Sequence, residues 1–521
     1  MKSNKLRIWM LMGLIGVISA GCEKQLEIDP RQSIDASTAL TSREAIDASI
    51  TSIYSRLKNA RQYGRDLITH PEALADNGYA TNKSGRLVGE ANNNFGAHFT
   101  GTIWSNSYAA INQINLTLAA IPKLTISPEV SQAERDRWEG QLLFLRALYY
   151  FDLVRVYAYI PGAVVASQDR GGVVITPDAG FATAAEALAY KPSRSPIDDA
   201  YNKVVADLEA ANSRLLYPGL GFSLANKAAV QGLLAKVNLY RKNYADAKRW
   251  ADSCIALAGS KMTTTANYVS NWRAETHGET LFQIRFATNG ENIGVNESLQ
   301  TSYTTLVTPG NPAVTGGFGD LVPTISLLND LGISLTGGNT HANFIGTNAA
   351  IASRSTDVRN LLYEPGTLGR GKSYVECTKF IGKNGFINLD NIPVFRIAEA
   401  YLIRAEARAT AGSPVLDLAG ALADLKVIKT RRYTDYTGSA QEAADNAAGQ
   451  AALYEEILRQ RRIELAFEGN RFFDLKRLGR DINKAPHFNN NVIAFTDIRI
   501  LPALPQAEID GNPNLQQNPG Y

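Results

Sequence analysis

One segment limits the possible folds of this chain more than any other. Between Ser131 and Tyr159, Leu142, Leu143, Leu145, Leu148, Phe151, Leu153 and Val154 occupy nearly every side of a helical wheel. A helix that is apolar all round has no face to give to water, so it has to sit between other helices. Pro161-Gly162 stops it. The fold therefore needs helical layers on more than one side of this element.

The rest of the sequence supplies them. Thr41-x-x-Glu44 reads as a capping box, followed by the stripe Ile46, Ile50, Ile53, Tyr54 and Leu57. A helix over about 103–121 is stopped by Pro122. Ser195-Pro196-Ile197-Asp198 reads as a helix start with Ser195 as N-cap, and Tyr201, Val204, Val205, Leu208 and Leu215 give its buried face. Ala225–Arg241 and Tyr244–Ala258 predict a helical hairpin around Lys242-Asn243. Further helices are expected at about 395–411, 416–432, 451–468 and 471–480. Residues 64–100, rich in Asn, Gly and Ser, predict a long irregular excursion. Residues 260–392 carry short β-like runs, such as Thr280 to Phe286, among dense turn signals. Loops of that length are usually functional or disordered. The tail from Leu501 to Tyr521 predicts an extended strap. The expected fold is mainly α. Tetratricopeptide-like helix pairs form a frame over about 41–258 and 393–480, and a large loop-rich insertion spans about 260–392.

The N-terminus reads as an address. Lys2, Lys5 and Arg7 precede an apolar run from Ile8 to Ile18, then Ser19, Ala20, Gly21 and Cys22. This pattern is a secretory signal, too short for a stable membrane span. It resembles a bacterial lipoprotein signal, with Ser19 where Leu is usual, and implies cleavage before Cys22 and lipidation of that residue. The expected organisation is a signal over 1–21 and one domain over 22–521. The formal charge of +3 over 521 residues comes from 53 Lys and Arg against 50 Asp and Glu. Removing the signal takes away three of the former and none of the latter, leaving a formally neutral chain. That balance gives no reason to expect nucleic acid.

Cys254 and Cys377 are expected as buried thiols acting as small hydrophobes; the alternative is a disulfide between them, which an oxidising compartment would allow. With no CxxC and five scattered His, neither a metal site nor a cofactor is expected. Phosphate-loop and nucleophile-elbow motifs are absent from the sequence. Glu464 and Glu468, one helical turn apart, have the spacing of a glycosidase pair. They lie among Arg459, Arg461, Arg462 and Arg471, and arginines keep carboxylates ionised where a general acid needs the opposite. The pair is read as an ion network fixing two helices, with Gly469 as C-cap and Arg471 turned back onto it.

Four stretches resemble the SusD/RagB family: Glu139 to Arg155, Asn391 to Ala407, Arg461 to Arg477, and the ending Leu504 to Tyr521. The resemblance runs in order along essentially the whole mature chain. It implies a non-catalytic surface lipoprotein of an outer membrane, anchored there by lipid. Such a protein binds a glycan or another small nutrient and caps a SusC-type TonB-dependent transporter. Sugar binding needs aromatic planes together with amides and carboxylates. Asp76 to Asn82, Asn92 to Phe95, and Tyr303 to Asp320 offer that mixture and correspond to family regions lining the ligand face. Within them Tyr79, Asn82, Phe95, Tyr303 and Phe318 are the candidate ligand-binding residues. The alternative for each aromatic is a loop anchor packed on the helices. Trp104 and Trp272 are expected in the core. Two other functions compete with this one: a helical glycoside hydrolase and a tetratricopeptide-type adaptor for protein partners.

Overall fold

The computed structural model describes residues 39–487 and 492–521. The expected signal and Cys22 lie outside the described residues.

Helices α1 (Arg43–Arg56), α2 (Asp66–Leu74), α3 (Gly101–Ala120) and α4 (Gln132–Tyr157) come first. They are followed by α5 (Ile197–Arg214), α6 (Lys227–Tyr240) and α7 (Tyr244–Ala258). After the insertion come α8 (Ile397–Ala409), α9 (Leu418–Lys429), α10 (Gln450–Leu465) and α11 (Arg471–Leu478).

The central helix α4 is enclosed as its composition requires. Ser131 caps it, accepting from the Glu134 amide at 3.3 Å, with Glu134 in the first turn and Arg155 in the last. Every residue from Gly140 to Tyr157 is buried. The charged side chains in that run are paired. Arg146 grips Asp207 through two bonds of 2.8 and 2.7 Å, and Arg155 meets Asp152 at 2.6 Å.

The helices pack in succession: α1 on α3, α3 on α4, α4 on α5, α5 on α6 and α6 on α7. Helix α7 then packs on α8, although residues 259–396 separate them in sequence. The insertion thus leaves and re-enters between neighbouring members of one stack. Its two ends are tied by a short antiparallel ladder in which Ile392 faces Ile284 and Arg396 faces Thr280. Closing a long loop adds little entropy cost beyond closing a short one, so the stack tolerates it. The described strands all pair in two-stranded ladders.

Some expectations shift. Ser42 rather than Thr41 caps α1, accepting from the Ala45 amide. Pro196 takes the N-cap position of α5, while the Ser195 hydroxyl donates to the Val173 carbonyl at 2.7 Å. Residues 66–74 lie within the expected irregular excursion yet form α2, buried along its whole length. The tail strap contains a short helix, Gln506–Gly511. Trp104 and Trp272 are core residues. Cys254 and Cys377 are buried free thiols.

Candidate functional site

The two segments around Tyr79 and Phe318 meet. Strand Gly78–Ala80 pairs antiparallel with Leu321–Pro323, placing Tyr79 opposite Val322. The pairing runs on, with the Thr81 amide donating to the Asp320 carbonyl at 2.8 Å and the Thr81 hydroxyl to the Gly319 carbonyl at 2.7 Å.

The base of this ladder is held by the C-terminal helices. Arg471 binds the Asp76 carboxylate through Nε and Nη2 at 2.6 and 2.9 Å. Arg462 donates from Nε to Asn77 Oδ1 at 2.8 Å. Burial alone would raise the Asp76 pKa, but Arg462 and Arg471 outweigh it and hold the carboxyl well below the usual range. Both Asp76 and Asn77 are buried. They support the strand, although their segment had the composition of a sugar-contacting loop.

Above the base lies a mixed aromatic and cationic face. The half-buried Tyr79 ring stands edge-on to Phe344 at 5.2 Å and lies 5.0 Å from the His487 ring. Asn82 is exposed, in a left-handed backbone conformation. The Phe318 ring is half-buried, with the guanidinium groups of Arg86 and Arg370 4.4 and 3.9 Å from its centroid. Phe318 therefore orients two cations and does not present a bare plane. Lys372 Nζ sits 4.0 Å from the centre of the Tyr374 ring.

Two buried acids underlie this face. Asp320 accepts from Arg86 Nε at 3.0 Å and from the Ser84 hydroxyl at 2.6 Å. Glu376 Oε1 takes Lys83 at 3.3 Å, while Oε2 accepts from the Thr305 amide and the hydroxyls of Thr304 and Thr305. Burial pushes the Glu376 pKa up against the pull of Lys83. A Cβ placed on Gly366 would lie 2.1 Å from this carboxyl group. Gly366→Ala is therefore expected to destabilise the protein by about 1–3 kcal/mol through overpacking. A thermal melt unchanged within a degree would contradict that contact.

Sequence reasoning singled out none of Lys83, Arg86, Phe344, Arg370, Lys372, Tyr374 and His487, which lie on or under this face. The available signal was the alternation of glycine and basic residues in Gly369-Arg370-Gly371-Lys372, just before strand Val375–Cys377.

The remaining candidates sit elsewhere. Tyr303 is 0% exposed. Its hydroxyl donates to the Ile68 carbonyl at 3.1 Å and its ring packs at a right angle on Phe467. It is a core anchor, so the expectation of a ligand contact does not hold for it. Phe95 is 55% exposed but stacks on Tyr521 at 4.7 Å. It belongs to another surface, around a cavity lined by Asn92, Asn94 and Arg499.

Glu464 and Glu468 are enclosed in a salt-bridge cluster. Arg396 binds Glu468 through two bonds of 2.8 Å and reaches Glu464 and Glu279 at 2.9 Å each. Arg432 bridges Glu464 and Glu279 as well. Lys379 meets Glu468 at 2.6 Å and Arg359 adds a bond to Glu464. Burial would raise the Glu464 pKa, but Arg432 and Arg396 outweigh it and keep it far below its ordinary value. An acid held ionised in this way cannot protonate a leaving group. The partners differ from those expected. Arg459, Arg461 and Arg462 turn to Glu456, Asp474 and Asp330, and Arg471 goes to Asp76. Helix α10 ends at Leu465, before both Glu468 and Gly469.

Comparison with known proteins agrees with this architecture. A model described as the SusD family matches residues 372–521, and one described as "Starch-binding associating with outer membrane" matches residues 25–239. SusD-like protein P2 of Formosa agariphila is 25% identical over 546 residues, covering 99% of this chain and 100% of the relative. SusD-like protein P38 of the same organism is 22% identical, covering 98% of each. A solved SusD superfamily protein from Bacteroides thetaiotaomicron superposes with a TM-score of 0.74 at 24% identity, covering 91% of this chain and 99% of the other. A laminarin-binding SusD-like protein superposes with a TM-score of 0.64 at 19% identity, covering 92% and 100%.

Proposed function

This chain belongs to the SusD/RagB family, and from that premise we propose that it binds a glycan without cleaving it. The observation that carries this reading is the joining of Tyr79, Asn82 and Phe318 into one face by the Gly78–Ala80 ladder. That face combines a half-buried ring, an exposed amide and fixed guanidinium groups, which suits hydroxyl-rich ligands. The names of relatives support the same reading, since one matching description speaks of starch and one structural neighbour binds laminarin.

The fuller reading follows the family. Residues 22–521 act as one unit, anchored by lipid on Cys22 at the surface of an outer membrane. The partner is a SusC-type TonB-dependent transporter, to which the bound nutrient passes. Phe95, on its separate surface, would contact only a ligand long enough to reach beyond the Tyr79 face.

Calorimetric titration with a panel of oligosaccharides tests the binding site. Tyr79→Ala and Asn82→Ala should each weaken the best ligand about tenfold, the equivalent of ~1.4 kcal/mol. Chromatography of the incubated sugar should show no shorter products. Turnover of any panel sugar, or full affinity in the double variant, would sink the proposal.

A further inference from the structure

We infer that this face, taken as the glycan site, is built for an anionic oligosaccharide, one bearing carboxylate or sulfate-ester groups. The inference rests on the binding reading above and narrows its ligand class.

The argument is a pairing of charges. Three cations stand on the face, Arg86, Arg370 and Lys372, and the side chain of a fourth, Lys83, is buried beneath it. The two buried acids beneath it each have a partner, Glu376 with Lys83 and Asp320 with Arg86. Glu364, across the neighbouring ladder from Glu376, is turned to the Gly310 amide. Arg370 and Lys372 are left over. Among the described residues neither has a carboxylate within salt-bridge distance.

Both surplus cations are nevertheless held in place. Arg370 Nε donates to the Gly317 carbonyl at 2.9 Å, and its guanidinium lies against Phe318. That leaves the Nη groups of an exposed residue as forked donors. Lys372 Nζ donates to the Phe344 and Ser373 carbonyls at 2.6 and 3.2 Å, over the Tyr374 ring. Only two residues apart, their Cα atoms are within about 7 Å of each other. Burial, with help from Lys83, pulls the Lys372 pKa down to about 8, so a nearby anion would relieve an unfavourable charge. The Nη fork of Arg370, and a Lys372 ammonium held only by neutral carbonyls, bind carboxylate or sulfate oxygens more strongly than neutral hydroxyls. Two ordered cations with no carboxylate in salt-bridge distance favour an anionic ligand over a neutral one.

The test is titration of the purified protein with oligogalacturonate, a carrageenan oligosaccharide and laminari-oligosaccharide, matched in length. The expected result is that one of the two anionic sugars binds at least about tenfold tighter than the neutral one, and that Arg370→Gln and Lys372→Gln each weaken it about tenfold. Raising the salt from 50 to 300 mM should weaken the anionic ligand and leave any neutral binding unchanged. The salt series needs no variant and stands even if a substitution disturbs the loop. The carboxylate and sulfate arms identify which anion is recognised. Equal or tighter neutral binding, or salt-independent anionic binding, overturns this inference and leaves glycan binding intact. Failure of all three sugars, and of a wider neutral panel, overturns the glycan reading itself.

Discussion

Replacing Arg396 by alanine will lower the unfolding free energy by about 3–5 kcal/mol, the loss expected when one partner of a buried ion network is removed. Arg396 is 1% exposed and bonds to Glu279, Glu464 and Glu468 at once. Its loss leaves three carboxylates to share Arg432, Arg359 and Lys379. The measurement is urea unfolding, with a lower midpoint at unchanged slope. Arg249→Ala is the control. Its pair with Asp246 is largely exposed, and it should change stability by less than about 1 kcal/mol. A loss at Arg396 no larger than at Arg249 would refute the role assigned to the network.

The position of this network explains why the effect should be large. Glu279, Asp357, Arg359 and Lys379 come from the insertion, while Arg396, Arg432, Glu464 and Glu468 come from the returning helical frame and its adjoining turns. Four acids meet four cations, so the cluster is balanced within itself. It pins the insertion to the frame close to where the ladder 280–284 with 392–396 closes it. Arg462 and Arg471 do the same for the strand that bears Tyr79. The residues most characteristic of the C-terminal stretch therefore act on the candidate site from below, by positioning it.

The legible parts of the fold were those governed by local periodicity. Helix α4 could be read because its apolar residues leave no polar face and Ser131 marks its start. Helix α2 could not, because Asp66, Thr69, His70 and Glu72 look like surface residues. Glu72 is buried because its carboxylate accepts from the Gly469 and Asn470 amides at the start of α11, nearly 400 residues along the chain. The site divides in the same way. The compositions around Tyr79 and Phe318 marked both segments, but a three-residue ladder between distant strands has no local signature. Tyr303 was misread for a related reason. Its Thr-rich neighbourhood suits a loop, and its burial is set by Phe467 and Phe380, which arrive from elsewhere. Arg370 and Lys372 draw their meaning from the pairing of other charges, which only the folded chain fixes.

Acidification should act through opposed groups at mildly acid pH and through the ion-paired carboxylates below it. Glu72, Glu376 and Asp390 have carboxyl groups raised by burial. Buried His98, His277 and His487, held neutral by burial, cost stability as their unfolded counterparts take up protons below about pH 6.5. The raised carboxyls offset part of this, because in the folded state they take up protons before their unfolded counterparts and so add stability as pH falls. Asp474, Glu456 and Glu464 run the other way. Burial would raise Asp474, but Arg461 and Arg477 outweigh it and hold it at about 2, against 3.8 ordinarily. Burial would likewise raise Glu456, but Arg459 and Lys429 bring it to about 2, against 4.5. Their stabilisation is complete above the unfolded pKa values and is lost as pH falls through the folded ones. Asp474 and Glu456 should each lose on the order of 2 kcal/mol between about pH 4.5 and 2. Denaturant unfolding should therefore show offsetting contributions between about pH 7 and 5 and a steep loss below about pH 4. Asp474→Asn separates this cause from general charge repulsion. The variant should be less stable at pH 7 yet lose less on acidification, because the proton it would have bound has no site. A steep loss already complete above pH 5, or an unchanged acid slope in Asp474→Asn, would show that other groups control acid unfolding.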